Sequence, residues 1–372
     1  MFQQIGLTFI ALFIAYLCFL GVFGFLKDNY GIEISLGENL FISEDKGENW
    51  VALDTGKQTD VSGVNFAFDS QNPENLYMAS AEGIFESSKG KNFSASAITQ
   101  FKEEEKPALI SNFIPDPKEP NTFYLISEEV GQNKLLVSHD KGKTFRLIFI
   151  AEGNDRIKTF AVDPFASNKI YLGTEEGGFL RSEDYGNSWK KVIKFSQPVG
   201  EIVPNPHREG EIYILLSRVA KDPFNFYNNG IPAKVKISND CGLTFQAIEN
   251  KINISKVKRE LRNLPEIKDI VIDPSQNRIY FVSDYYLLRS VHDQMELVNL
   301  VSFSKENKIT TFTVDPKNSN ILYLGIGNLM YISENGGENW QIVEPPAKGE
   351  IEEIKINPAD PETILISVKK TF

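Results

Sequence analysis

The pattern Ser, any, Asp, any, Gly, any, Thr/Asn/Ser, then Trp or Phe returns at nearly even spacing along this 372-residue chain. A repeat constrains the fold more tightly than composition does, because each unit must bury its apolar face against the next copy. Clear copies occupy 43–50 (Ser43, Asp45, Gly47, Trp50), 138–145 (Ser138, Asp140, Gly142, Phe145) and 182–189 (Ser182, Asp184, Gly186, Trp189). Two more occupy 238–245 (Ser238, Asp240, Gly242, Phe245) and 333–340 (Ser333, Asn335, Gly337, Trp340). Worn copies stand at 86–93, which keeps Gly90, Asn92 and Phe93, and at Ser290. The first positions, 43, 86, 138, 182, 238, 290 and 333, give a period of roughly 43 to 56 residues. Periods in this range belong to four-stranded units arranged radially.

A second ladder runs in step with the first: Asp69, Asp116-Pro117, Asp163-Pro164, Asn205-Pro206, Asp273-Pro274, Asp315-Pro316 and Asn357-Pro358. Alternating apolar stretches such as 157–162 and 309–314 precede these turns, and others such as 170–172 and 321–324 follow them. Period-two apolar stretches separated by turn residues are strands. Each unit therefore reads strand A, Asp-Pro turn, strand B, loop, strand C ending in the Ser-x-Asp-x-Gly turn, and strand D opening on the Trp or Phe. The fold class is all-β, a seven-bladed β-propeller. The chain begins with a C and D pair and finishes with an A and B pair, so both termini complete the last blade. Residues 363–368 would then lie beside 38–42, removing free sheet edges. Residues 32–36 also read as a strand B for that slot.

The net charge of −11 and pI near 5.0 argue against a phosphate-binding surface and thus against nucleic acid. Residues 5–26 carry no charge and are long enough to cross a bilayer as one helix. No Ala-x-Ala cleavage pattern follows, so the segment reads as an uncleaved signal anchor, and Tyr16-Leu17 before Cys18 argues against lipidation. The expected organisation is a tail at 1–4, a transmembrane anchor at 5–26, a linker at 27–31 and the propeller at 32–372. The propeller is expected on the extracytoplasmic side of a cell membrane. Cys18 and Cys241 are the only cysteines, leaving no disulfide within the propeller.

In the repeated turn the Asp accepts hydrogen bonds from following N–H groups, the Gly supplies a positive φ, and the aromatic residue anchors strand D. A calcium loop would need several oxygen ligands at close spacing where each turn offers one carboxylate, so the role expected here is architectural. The turn resembles the Asp-box, or BNR repeat, of sialidases, the sortilin ectodomain, xyloglucan-degrading glycosidases and the photosystem II stability and assembly factor. The resemblance covers 32–372 and implies the propeller fold, while the family mixes hydrolases with receptors and assembly factors. No Phe/Tyr-Arg-Ile-Pro segment of the sialidase kind is present. A xyloglucanase-like Thr-Asp-Val-Gly-Gly finds its nearest counterpart in Thr174-Glu175-Glu176-Gly177-Gly178, with Glu where Asp is expected. Glu175 or Glu176 with Asp284 is the one pair of carboxylates nominated as acid and base. His139, His207 and His292 fall in different blades at no ligand spacing, so no metal and no cofactor is expected.

Propeller topology puts the A–B and C–D turns on one face and the D–A and B–C loops on the other. The regular Asp-Pro and Asp-box turns share the first face, and the irregular insertions share the second. The longest is 217–232, carrying Arg218, Phe224, Phe226 and Tyr227; others are 250–266 and the charged loop 94–111. Aromatic residues on long loops are candidate partner anchors, unless they fold down to plug the axis. Tyr285 and Tyr286, beside Asp284, fall on the same face. These features lead to the expectation of a non-catalytic, membrane-anchored propeller binding a protein or peptide partner. The alternative is a cell-surface glycan-binding or glycoside-hydrolysing propeller.

Overall fold

The computed structural model describes residues 40–53, 65–69, 72, 74–80, 83–88, 96–100, 109–129, 132–151, 153, 155–219, 231–248, 266–291, 294–297, 308–346 and 349–369. They fall in the compact unit Asn39–Phe372. The proposed anchor at 5–26, the strand-like stretch 32–36 and the loop aromatics Phe224, Phe226 and Tyr227 lie outside the described residues, as do most of 250–266 and 94–111. Among the described residues no helix is long and apolar enough to cross a membrane.

Seven four-stranded antiparallel sheets make seven blades. The chain enters on β1 (Leu40–Ser43) and β2 (Val51–Ala52). Blade 1 is β3 (Asn65–Phe68), β4 (Asn75–Ser80), β5 (Gly83–Ser88) and β6 (Ser96–Gln100). Blade 2 is β7 (Leu109–Pro115), β8 (Phe123–Glu129), β9 (Gln132–Ser138) and β10 (Arg146–Ile150), and blade 3 is β11 (Ile157–Val162), β12 (Ile170–Thr174), β13 (Gly178–Ser182) and β14 (Lys190–Lys194). Blade 4 is β15 (Val199–Pro204), β16 (Ile212–Leu216), β17 (Lys234–Ser238) and β18 (Gln246–Ala247), and blade 5 is β19 (Ile267–Ile272), β20 (Ile279–Ser283), β21 (Leu287–Val291) and β22 (Gln294–Leu297). Blade 6 is β23 (Ile309–Val314), β24 (Leu322–Ile326), β25 (Leu329–Ser333) and β26 (Gln341–Val343). Blade 7 joins β27 (Glu350–Ile356) and β28 (Ile364–Lys369) to β1 and β2. There Leu40 opposes Ser367 and Ser43 opposes Ile364, the closure expected from the unequal ends of the repeat.

In blades 3 to 6 the second strand is buried at every residue, as β12, β16, β20 and β24. Cores form between blades, where one sheet face meets the next. Tyr124, Ile126, Leu135 and Val137 of blade 2 pack with Phe160, Ile170 and Leu172 of blade 3 in one cluster. Apolar area removed from water at each seam is the main term holding the ring.

The Asp-box turns are built alike. Ser Oγ donates to the Asp carboxylate at 2.7–2.8 Å in the four Asp copies and accepts the Gly N–H at 2.7–2.8 Å in all five. The N–H four residues after the acid donates to its Oδ1 at 2.8–2.9 Å, and in the Asp copies the side chain there donates to Oδ2 at 2.6–2.7 Å. Both carboxylate oxygens are thus occupied by the turn itself. The box glycine also lies against the preceding blade. A Cβ on Gly47, Gly186 or Gly242 would stand 2.7–2.8 Å from Met330, Ile148 or Phe179. Trp189 follows suit, donating Nε1–H to Ile148 O across the seam at 2.8 Å.

On the same face the Asp-Pro turns carry a partner that sequence analysis did not single out. Tyr77 and Tyr171, each eight residues after the turn acid, donate O–H to Asp69 (2.7 Å) and Asp163 (2.6 Å) inside the core. The spacing recurs at Asp116/Tyr124 and Asp315/Tyr323 and was legible in the sequence.

Strand A holds a second unanticipated regularity. Its register against strand B slips at one place in six blades: between Ile110 and Asn112, Ile157 and Thr159, Val199 and Glu201, Ile267 and Asp269, Ile309 and Thr311, and Ile351 and Glu353. Such bulges bend a strand and re-aim its side chains. They sit where strand A leaves the D–A loop, at the channel mouth on the insertion face.

Candidate functional site

Among the described residues, two clefts open on the insertion face. The first, about 550 Å³, lies between blades 4 and 5 and is lined by Ser217, Arg218, Glu266, Lys268, Asp284, Tyr285 and Tyr286 among others. Four residues singled out from sequence, Arg218, Asp284, Tyr285 and Tyr286, are thereby brought together, from B–C loops of neighbouring blades.

The local chain explains how the tyrosines are presented. Ser283 N–H donates to Tyr286 O (2.9 Å), while Ser283 Oγ accepts the N–H groups of Tyr285 (3.3 Å) and Tyr286 (2.9 Å). This tight turn fixes the backbone of both aromatics, and Tyr286 remains exposed. Asp284 O accepts Ile309 N–H at 2.9 Å, tying the loop to the first strand of blade 6.

Charged groups on the wall hold one another in place. Glu266 takes the N–H of Ala233 at 3.1 Å and the guanidinium of Arg218 at 3.1 Å. Asp284 lies 2.8 Å from Lys308 and 3.6 Å from Lys268, whose ammonium also donates to Ile309 O. Partial burial pushes the Asp284 carboxyl up, but the two ammoniums outweigh it and hold the group below its ordinary range. Asp284 is therefore ionised at neutral pH and has no proton to give.

Glu175 and Glu176 do not join this cleft. Both are exposed in the hairpin turn of blade 3, where Glu176 pairs with Lys194 at 2.9 Å and its N–H caps onto Asp155 at 2.9 Å. The following Gly177 has φ +86°, and a Cβ there would stand 2.6 Å from Gln197 O. The Glu-Glu-Gly-Gly stretch is a close-packed turn. His139 bonds Thr122 (3.1 Å) and His207 bonds Asp273 O (2.8 Å), each within the turn face; His292 lies outside the described residues.

The second cleft, about 530 Å³, is the channel mouth, lined from five blades by residues including Asn65, Ser111, Asp269, Thr311 and Glu353. Behind its lining residue Asp269 lies a second carboxyl, Glu201 of the preceding blade, and sequence analysis missed both. Glu201 of β15 and Asp269 of β19 hydrogen-bond to each other, and the N–H of Ile270 donates to both. Burial raises both, and the Asp269 charge adds to it for Glu201, so the pair retains a proton above the ordinary carboxyl range. Lys268 is the cation acting on Asp269; Lys158 on β11 is exposed, and Glu353 across the channel is paired with Lys355 at 3.1 Å. A signal did exist: both acids follow the first apolar residue of strand A by two positions.

A family model described as Sortilin-Vps10 (sortilin, neurotensin receptor 3) matches residues 133–307. An oligoxyloglucan-reducing end-specific xyloglucanase of Emericella nidulans is 24% identical over 150 residues, covering 36% of this chain and 17% of that protein. The GH74 xyloglucanase structure from Xanthomonas campestris superposes with a TM-score of 0.61 at 15% identity, over 82% of this chain and 50% of that one. The structure of YCF48 bound to D1 peptide superposes with a TM-score of 0.53 at 13% identity, over 82% of this chain and 91% of that one. The chain thus spans a small part of its fungal relative and about half of the Xanthomonas chain. The propeller and its likeness to sortilin-type, xyloglucanase and photosystem-assembly-factor propellers stand as expected from the Asp-boxes. The expectation of a non-catalytic, protein-binding propeller does not. Curated relatives matched in sequence, including Xgh74A of Acetivibrio thermocellus at 26% identity over 165 residues, are xyloglucan-degrading enzymes. Asp-boxes could not reveal this, because they occupy the face opposite the clefts.

Proposed function

We propose that this chain is a glycan-recognising propeller of the xyloglucanase kind, binding a neutral β-linked oligosaccharide on its insertion face, and that residues 5–26 tether it to a membrane with that face outside the cytoplasm. The observation that carries the reading is the blade 4–5 cleft itself: an exposed tyrosine on a fixed turn beside oriented Arg218, Glu266, Lys268 and Asp284. A sugar ring offers a C–H face that packs on an aromatic ring and a rim of hydroxyls that both donate and accept. An apolar platform flanked by a few fixed polar groups suits such a ligand. Kinship in sequence to xyloglucanases supports the substrate class.

Hydrolysis is the second reading, favoured by one group. A glycosidase needs a carboxyl that keeps its proton until the leaving oxygen takes it, and Glu201 is held protonated by burial and by Asp269. Hydrogen-bonded to each other, Glu201 and Asp269 are closer than the roughly 5 Å or more that separates two carboxyls flanking a glycosidic bond. The pair therefore serves as one acid, and a second carboxylate would have to act from elsewhere.

Titration calorimetry with xyloglucan-derived oligosaccharides tests the binding reading. Saturable binding that weakens about tenfold or more in Tyr286→Ala is expected, the loss of ~1.4 kcal/mol of contact. Absence of heat with every neutral glycan tried would sink it. Reducing-end release abolished by Glu201→Gln would establish hydrolysis.

A further inference from the structure

The two clefts share a wall. Residues Ile267 and Lys268 line the blade 4–5 cleft, and the next residue, Asp269, lines the channel mouth. The Lys268 ammonium spans the boundary, bonded to Asp284 on one side and to Ile309 O, at the start of β23, on the other. Thr311 of that same strand lines the channel.

We infer that the clefts form one extended site, in which the channel mouth is an inner subsite taking the end of an oligosaccharide whose body lies against Tyr286. The inference rests on the glycan reading and adds the inner subsite, its chemistry and a length requirement. The chemistry of the mouth is that of an acceptor surface: Asp269 and Glu353 carboxylates, with Asn65, Ser111 and Thr311 as neutral partners. The cations beside the mouth are held by its own acids and by neighbouring groups, Lys355 by Glu353 and Phe66 O, and Lys268 by Asp284 and Ile309 O while acting on Asp269. Such a surface, its charges largely paired, accepts from a neutral ligand rich in hydroxyl donors. The space, about 530 Å³, lies within the range of small-molecule sites. Ser111 is exposed to it at the start of β7, and Glu353 is half-buried across from it. A ligand filling both clefts gains the second set of contacts without a second loss of translational freedom, so affinity should climb with chain length.

Calorimetric titration of the full chain with a neutral β-glucan disaccharide and the matching hexasaccharide tests this. The hexasaccharide is expected to bind at least about tenfold tighter. In Ser111→Tyr, whose ring fills the mouth, the ratio of the two affinities should fall towards unity; Glu353→Gln should lower the same ratio without adding bulk, covering the case in which the tyrosine misfolds. Tyr286→Ala should weaken both ligands together. Equal affinity for the two sugars in the parent protein, or a ratio unmoved in both channel variants, overturns the extended site while leaving the outer-cleft reading intact. Failure of both sugars to bind removes the glycan reading and the extended site with it.

Discussion

Asp140 shows what a single residue of the repeat contributes. Burial pushes its carboxyl up, but hydrogen bonds from Thr144, Ser138 and the following N–H groups outweigh that and hold it at about 2. Asp45 and Asp184 are also lowered, mainly by the side chains of Asn49 and Ser188. A carboxyl whose folded pKa lies below its unfolded value, near 3.9, stabilises the fold above that value, and the contribution drains as pH falls towards the folded pKa. Asn335 makes two of these bonds without a charge, accepting from Ser333 Oγ (3.0 Å) and Asn339 N–H (2.8 Å). Asp140→Asn should therefore keep the fold and flatten the loss of Tm between about pH 4 and pH 2; a parent-like acid limb would contradict this. The residue before the box Gly has φ of +56 to +59° at Lys46, Lys141, Tyr185 and Cys241, while the fifth copy places Gly336 there. Relief of that strain, about 1–2 kcal/mol, exceeds the entropic cost of glycine, so Lys141→Gly should raise stability by ~0.5 kcal/mol in denaturant titrations. The box positions were plain in sequence because their residue types recur. This strained position was not, since lysine, tyrosine and cysteine share no chemistry. Tyr171→Phe should cost about 1–2 kcal/mol, leaving Asp163 short of a buried donor.

At the scale of elements, strand A is where sequence and structure part. Its alternating apolar residues mark a strand, but the bulge at Val199/Glu201 and Ile267/Asp269 is a pairing event, and one acid in an alternating strand looks like any solvent-facing residue. Only the packing of blade 4 against blade 5 turns two isolated acids into a proton-sharing pair. The nominated couple of Glu175 or Glu176 with Asp284 rested on motif likeness. The structure sets those glutamates in a packed turn of blade 3, and Asp284 between two lysines in blade 5. Arg218, Tyr285 and Asp284 were legible as a group because topology alone assigns B–C loops to one face. For Glu201 the folded pKa is raised, so its contribution is intact below the unfolded carboxyl pKa and is lost as pH rises through the folded value. Glu201→Gln can keep a hydrogen bond to Asp269 and removes the titration. Its Tm relative to the parent should improve as pH rises above the ordinary carboxyl range, and a pH-independent difference would contradict the shared proton.

For the whole molecule, the count of seven and the shared last blade followed from the repeat, because the chain begins with a half-blade and ends with the complementary half. The structure completes it by pairing β1 with β28. Removing residues 364–372 should leave β1 and β27 without their common neighbour and abolish cooperative unfolding in calorimetry, whereas a sharp transition near the parent Tm would mean the ring closes without that strand. The repeat holds one face, and the departures from it build the other, where both clefts open. The most direct test is a crystal structure of the protein with a xyloglucan-derived oligosaccharide. A sugar ring packed on Tyr286 between blades 4 and 5 is expected, with the saccharide running past Lys268 into the channel mouth. Sugar bound on the Asp-box face, or outside both clefts, would contradict it.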